Sequence, residues 1–260
     1  MNDPRPDEGA LARAVGAAGA AERPSPGDLK DIVVLSARSA ARAGGKAVAS
    51  GRWFAEVALD AAGHVPVRDR ATLREHHDGL EGSLLAGALI RNAANATAAV
   101  GAATGAIAAA SETTPATWAT LPVELAAETL VVVAIEMKLV GELHEAAGVV
   151  LPASLREKGP VIARAWAESR GLRPEDVWNI TRGAVPGGSV AGTASELLGR
   201  SARDQLTNQL RRRLVRRAGR HVTSLAPFLI GAVAGAALNR RATRSLGTKV
   251  ATSLGIPPAP

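Results

Sequence analysis

The residues that could do chemistry in this chain fall into two short clusters of histidines and carboxylates. Residues 75–78 (Glu-His-His-Asp) and 142–145 (Glu-Leu-His-Glu) each place possible metal ligands close together. Neither cluster has the Glu-x-x-His spacing with which helices hold a carboxylate-bridged pair of metal ions. The chain has no cysteine, which excludes thiolate metal sites and a cysteine nucleophile. We therefore expect no metal site and no cofactor.

Motifs for phosphate binding and nucleophilic catalysis are not met either. The Gly-Gly-Lys-Ala run at 44–47 ends like a phosphate-binding loop, but Ala40 stands where the first glycine is required. Ala47 replaces the serine or threonine that such a loop needs. The Gly-x-Ser-x-Gly and Ser-x-x-Lys patterns are absent. We identify no catalytic residue, which favours a protein without enzymatic activity.

Glu136 is the carboxylate with the most unusual predicted position. The charged residues that share the expected solvated stripe of a helix over 121–147 are Glu124, Glu128, Lys138, Glu142 and Glu145. Glu136 lies about 100° from that stripe, among apolar residues. Since a buried carboxylate needs a partner, we expect an ion pair with Arg91, the single charge of its own apolar helix. A ligand pocket or proton-transfer site at Glu136 is the alternative.

Positive charge is concentrated near the C-terminus. The 260 residues carry a net charge of +7, yet residues 200–249 hold twelve basic residues and one acid. That segment therefore carries +11 and the rest of the chain −4. Such asymmetry is typical of proteins that bind a polyanion, either an anionic membrane surface or nucleic acid. A solvated basic face that pairs with the acidic remainder of the chain is the alternative.

The composition predicts helices throughout. Apolar residues make up 47% of the chain but aromatic residues only 2%. Helix formers such as alanine are therefore the main apolar residues, and the aromatic residues that favour strands are few. We predict an all-α protein with a single helical domain over 28–254, which contains the basic amphipathic segment 200–249. Residues 1–27 are rich in proline, alanine and glycine and are predicted to be a disordered tail. Residues 255–260 form a proline-rich end.

Two apolar helices carry pairs of glycines spaced four residues apart. The pairs are Gly101 with Gly105, and Gly231 with Gly235. This spacing places both glycines of a pair on one helix face, where another backbone can approach closely. Such packing suits an alanine-rich soluble core as well as a bilayer. The most apolar stretches are too short or carry too many charges to favour membrane spanning.

A cationic amphipathic helix is predicted just before the second glycine pair. The arginines assigned to polyanion binding are Arg212, Arg213, Arg216, Arg217, Arg220, Arg240 and Arg241. Anionic headgroups attract such a face by about 1 kcal/mol per basic residue, and the phosphates of nucleic acid attract it too. The segment lacks helix-turn-helix spacing and aromatic side chains for base stacking. A membrane surface is therefore the favoured partner and nucleic acid the alternative, and the sequence does not identify a protein partner.

Two stretches of the chain resemble bacterial EcsC-type proteins. The first covers 121–148, and the second, 225–239, matches the family's Pro-apolar-Gly-Ala-x-x-Gly-Ala-x-x-Asn helix. The matching residues are Pro227, Gly231, Gly235 and Asn239. The family's middle helix commonly closes with Tyr-Gly, where this chain has Ala147 and Gly148. The resemblance implies a mostly helical bacterial protein linked to an ABC-transporter operon, without catalytic residues.

The favoured interpretation is a non-enzymatic EcsC-type protein that associates with membrane through 206–244. The chain starts with acidic residues and without an apolar signal-peptide core, so we expect it on the cytoplasmic side, peripheral to the inner face of the membrane. The resemblance adds a link to transport or secretion. A basic protein associated with nucleic acid, and a small-molecule-binding protein or enzyme that uses Glu136, are the alternatives.

Overall fold

The computed structural model describes five stretches of the chain, namely 6–21, 24–44, 52–111, 121–169 and 229–257. These residues form eight α-helices and no strand. The helices are α1 Pro6–Ala20, α2 Pro26–Ala43, α3 Arg52–Ala62, α4 Arg70–His76, α5 Gly82–Ser111, α6 Leu121–Ala146, α7 Leu155–Ser169 and α8 Leu229–Ser253. The all-α fold that the composition predicts is confirmed.

Helix α6 is the centre of the fold, because each of the other seven described helices packs against it. From Ala126 to Val140 every residue is buried except Lys138, which is partly buried. An apolar surface on all sides of a helix is what such a central position requires. No helix among the described residues, α6 included, is long and apolar enough to cross a membrane.

The first helix belongs to the core, so the prediction of a disordered tail over 1–27 is wrong for Pro6–Ala20. Helix α1 packs against α6, and its Leu11 and Val15 are fully buried. A Cβ atom added at Gly19 would lie 2.7 Å from the Cβ atom of Ala134 on α6. Small residues let the two helix backbones approach closely. This contact buries surface that a count of large apolar residues does not reveal.

Local signals in the sequence set the ends of the helices. Ser25 caps α2: its hydroxyl accepts a hydrogen bond from the Asp28 amide at 3.1 Å. The Asp28 carboxylate in turn accepts one from the Ser25 amide at 3.0 Å, which completes a capping box. Asp28 is the third residue of the helix.

Helices α5 and α8 run antiparallel and approach each other at two glycines. A Cβ atom added at Gly101 would lie 3.0 Å from the carbonyl carbon of Gly235. Gly101 and Gly235 thus lie at a close helix–helix contact, as their spacing predicts. Gly105 and Gly231 lie in the same two helices. The structure does not describe the packing at these two positions.

Candidate functional site

A groove of about 550 Å³ lies between α5 and α8. Its lining is mostly apolar and includes four alanines, namely Ala98 and Ala102 of α5 and Ala236 and Ala237 of α8. Three arginines of α8 complete the lining: Arg240, Arg241 and Arg244. These seven residues are named the cationic groove below.

Helical spacing brings the arginines to the groove. Ala237, Arg241 and Arg244 are separated by four and three residues, so they lie on one face of α8. All three, together with Arg240, are exposed. Helix α8 contains no aspartate or glutamate, so the positive charge of these arginines has no counter-charge on their own helix.

Arg91 extends the positive surface on α5. It precedes Ala98 by seven residues, or about two turns, and therefore lies on the same stripe of the helix. Ile90 contacts Gly247 of α8, because a Cβ atom added at Gly247 would lie 2.7 Å from Ile90 Cγ1. Measured along the helix axes, Arg91 therefore lies about one turn from Arg244. It is exposed, and α5 contains no acidic residue.

The expected ion pair between Arg91 and Glu136 is wrong. Glu136 is fully buried, whereas Arg91 lies on the exposed side of α5. The Glu136 carboxylate accepts hydrogen bonds from Trp166 Nε1 at 3.1 Å and from Thr243 Oγ1 at 3.3 Å. Position 136 faces α7 and α8, which supply uncharged donors. These bonds provide partners for Glu136 without the large cost of burying a guanidinium group.

A buried polar layer lies where α5, α6 and α8 meet, and it consists of Thr97, Glu128, Glu136, Asn239 and Thr243. None of these residues is more than 8% exposed. Asn239 Nδ2 donates hydrogen bonds to the Thr97 carbonyl oxygen and to Glu128 Oε1, both at 3.1 Å. The hydroxyl oxygens of Thr97 and Thr243 are 3.0 Å apart. Because these bonds join three helices, the layer holds α8, and with it the arginines, in one register on α5.

Three carboxylates of α6 that were expected on its solvated face are buried. Glu128, Glu142 and Glu145 are only 8%, 4% and 9% exposed. Arg68 donates to both oxygens of Glu142, at 2.7 and 3.1 Å, and the Leu151 amide donates to Glu145 at 3.1 Å. Neighbouring segments cover α6 on every side, so each carboxylate requires a partner from one of them. The periodicity of a single helix does not show which segments those are.

The two histidine clusters do not converge on a metal site. Within the described ranges, no group of three or more histidines and carboxylates is placed to hold a metal ion. His77 follows α4, and its Nε2 atom is buried without a hydrogen-bond partner among these residues. Burial, reinforced by the positive charge of Arg68 and partly opposed by Glu142, lowers the pKa of His77 below its ordinary value of 6.5.

We expect the lowered pKa of His77 to reduce folding stability in mild acid. Below about pH 6.5 the unfolded chain binds a proton at this imidazole, whereas the folded chain binds it only at lower pH. The free energy of unfolding therefore falls as the pH drops below that value. In urea titrations between about pH 7.5 and about pH 5.5, a His77→Gln variant should lose less stability than the parent chain. Equal pH slopes for the two chains would contradict this assignment.

The predicted polyanion-binding arginines are only partly described. The five outside the described residues are Arg212, Arg213, Arg216, Arg217 and Arg220. The other two, Arg240 and Arg241, line the cationic groove. Arg244 was not among the predicted residues. It follows Arg241 by three residues, so helical periodicity would have placed both on one face. Thr97 and Thr243 were not predicted as site residues either. Each is a polar residue within a helix, and its position among apolar residues was the feature that could have identified it.

Comparisons with protein-family models, with curated proteins and with solved structures find no match to this chain. The resemblance to EcsC-type proteins therefore stays a prediction. The functional conclusion depends on the cationic groove and on the helices that form it.

Proposed function

We propose that this chain is a non-enzymatic helical protein of the EcsC type that binds an anionic membrane surface peripherally, from the cytoplasmic side. One observation carries the proposal. Four exposed arginines, Arg91, Arg240, Arg241 and Arg244, lie on two neighbouring helices that contain no acidic residue. A link to transport or secretion follows from the EcsC-type resemblance and is part of the proposal.

The chemistry of this face suits a lipid surface. An anionic leaflet attracts each nearby basic residue by about 1 kcal/mol, so several arginines on one face give appreciable binding. Leu238, on the same helix, is 44% exposed, and four alanines line the groove beside the arginines of α8. Apolar groups beside basic ones can enter the boundary between headgroups and acyl chains. Binding of phosphates alone would not require these apolar groups.

Vesicle flotation tests the proposal. The chain should float with vesicles of phosphatidylcholine and phosphatidylglycerol, but not with phosphatidylcholine alone, and added salt should weaken the binding. Replacement of Arg240, Arg241 and Arg244 by glutamine should lower the partition coefficient about a hundredfold, at about 1 kcal/mol for each arginine.

A variant of equal charge serves as the matched control. Lys30, Arg38 and Arg42 are exposed on α2, so their replacement by glutamine removes the same three charges from another face. That control should float like the parent chain. Equal losses in both triple variants, or equal flotation with neutral vesicles, would contradict a specific basic face. Tighter binding to duplex DNA than to anionic vesicles at the same salt concentration would favour the nucleic-acid alternative.

A further inference from the structure

The cationic groove separates its apolar and charged parts along its length. Ala236 and Ala237 come first along α8, and Ala102 on α5 lies opposite them, since Gly101 faces Gly235. The arginines follow one and two turns later, so Arg244 is about 12 Å from Ala236 along the helix axis. One end of the groove is therefore lined by Ala102, Ala236 and Ala237, whereas at the other end the three arginines lie opposite Ala98.

This separation indicates the kind of ligand that would fill the groove. A nucleic acid presents phosphates at regular intervals and would require positive charge along the whole length. A free phosphate would use only the arginine end. A molecule with an anionic head and a hydrocarbon part would use both ends.

The arginine end has the chemistry of a phosphate site. Guanidinium groups donate paired hydrogen bonds whose geometry matches phosphate oxygens. Among the residues that the structure describes, no acidic residue lines the groove to compete for Arg240, Arg241 or Arg244. The volume of about 550 Å³ lies within the roughly 300–1,000 Å³ that is usual for small-molecule sites.

We infer that the cationic groove holds the head of one anionic phospholipid, with its phosphate on the three arginines and its glycerol and first acyl carbons on Ala102, Ala236 and Ala237. The inference rests on the proposed function and sharpens it. Membrane binding would then include a defined lipid site in addition to the general attraction of a basic face. The groove is open, so the rest of each acyl chain can continue into the bilayer.

Titration calorimetry of the full chain with short lipids tests the site. Monomeric dihexanoyl phosphatidic acid should bind at least about tenfold more tightly than glycerol phosphate, which lacks the acyl carbons. Dihexanoyl phosphatidylcholine, whose head carries no net charge, should bind more weakly than the acid as well. If glycerol phosphate binds as tightly as the lipid, the groove is a phosphate site only and the inference is overturned.

Filling the groove without changing its charge separates this inference from the proposed function. Ala237→Leu places a larger side chain at an exposed groove position, and Ala98→Leu places one at a partly buried groove position on α5. Ala242→Leu, also exposed on α8 but outside the groove, is the matched control. Both groove variants should lose short-lipid binding and still float with anionic vesicles, whereas the control should keep both properties.

The two results distinguish the possible failures. Unchanged short-lipid binding in both groove variants would overturn the lipid site, even if vesicle flotation depends on the arginines. Short-lipid binding without any flotation on anionic vesicles would overturn the proposed function and leave the site intact. Circular dichroism of each variant establishes that it is folded. Because Ala237 is exposed, Ala237→Leu alone decides the question if Ala98→Leu does not fold.

Discussion

A single methyl group added at Gly101 is expected to destabilise the folded chain by about 2–4 kcal/mol. Its Cβ atom would lie 2.7 Å from Asn239 Nδ2 and 3.0 and 3.1 Å from the carbonyl carbon and oxygen of Gly235. Two of these three atoms are backbone, so α5 and α8 would have to move apart. The movement would also strain the hydrogen bonds from Asn239 to Thr97 and Glu128 in the buried polar layer. Alanine's higher helix propensity, worth about 1 kcal/mol, offsets only part of this loss.

The facing glycine provides the control for this prediction. Among the described residues, a Cβ atom at Gly235 would meet only the Gly101 carbonyl group, at 3.5 and 4.0 Å, which is ordinary van der Waals contact. Gly235→Ala should therefore be neutral or stabilise by up to about 1 kcal/mol, since alanine favours the helix. Urea unfolding of both variants measures the difference. Equal midpoints for Gly101→Ala and Gly235→Ala would show that the two helices do not approach as described.

Loss of the Trp166 indole nitrogen is expected to have the second large effect. Trp166 is 2% exposed and donates its hydrogen bond to the fully buried Glu136 carboxylate. Trp166→Phe leaves that oxygen without this donor in a site where water cannot replace it. Hydrogen bonds to charged groups contribute about 1.5–3 kcal/mol, compared with about 0.5–1.5 kcal/mol for neutral pairs. Cavity formation adds to the loss.

Trp53 supplies a matched control for the Trp166 variant. It is 4% exposed, and its indole nitrogen donates to the Ser39 hydroxyl at 2.9 Å, so Trp53→Phe removes the same atoms beside a neutral acceptor. Trp166→Phe should cost about 1–2 kcal/mol more than Trp53→Phe in urea unfolding.

Arg91→Leu should change stability by less than about 0.5 kcal/mol, because Arg91 is exposed. A large loss in Arg91→Leu, with little loss in Trp166→Phe, would restore the ion pair with Glu136 that the sequence suggested.

The features that the sequence predicts well are local ones. The apolar stretch over 121–147 predicts α6, Leu121–Ala146, nearly to its ends, because helix formation depends on neighbouring residues. The glycine spacing also indicated the close approach at Gly101 and Gly235. The charge count identified the basic segment that contains Arg240 and Arg241, since composition needs no coordinates. The groove between α5 and α8 has no such local signal.

The incorrect predictions share a physical cause. Residues 1–27 contain few large apolar groups and therefore resemble a tail, yet Gly19 allows α1 to pack directly on α6. Glu128 and Glu142 lie on the most polar stripe of α6 and therefore resemble a solvated face, yet neighbouring segments cover that stripe. In each case the residue pattern within the helix is interpreted correctly, but the segments that pack against the helix come from elsewhere in the chain.

Sequence alone therefore establishes the all-α fold class of this protein, its concentration of positive charge and the absence of cysteine chemistry, because these properties belong to single residues or to neighbours within a few turns. Tertiary structure decides the partners of the polar residues. Asn239 bonds to Thr97 across 142 residues, and Thr243 contacts Thr97 across 146. It also decides that Arg91 lies on the exposed basic face instead of beside Glu136. The physical reason is that burial depends on which helices pack around α6, and contacts between residues so distant along the chain leave no periodic signal in either helix.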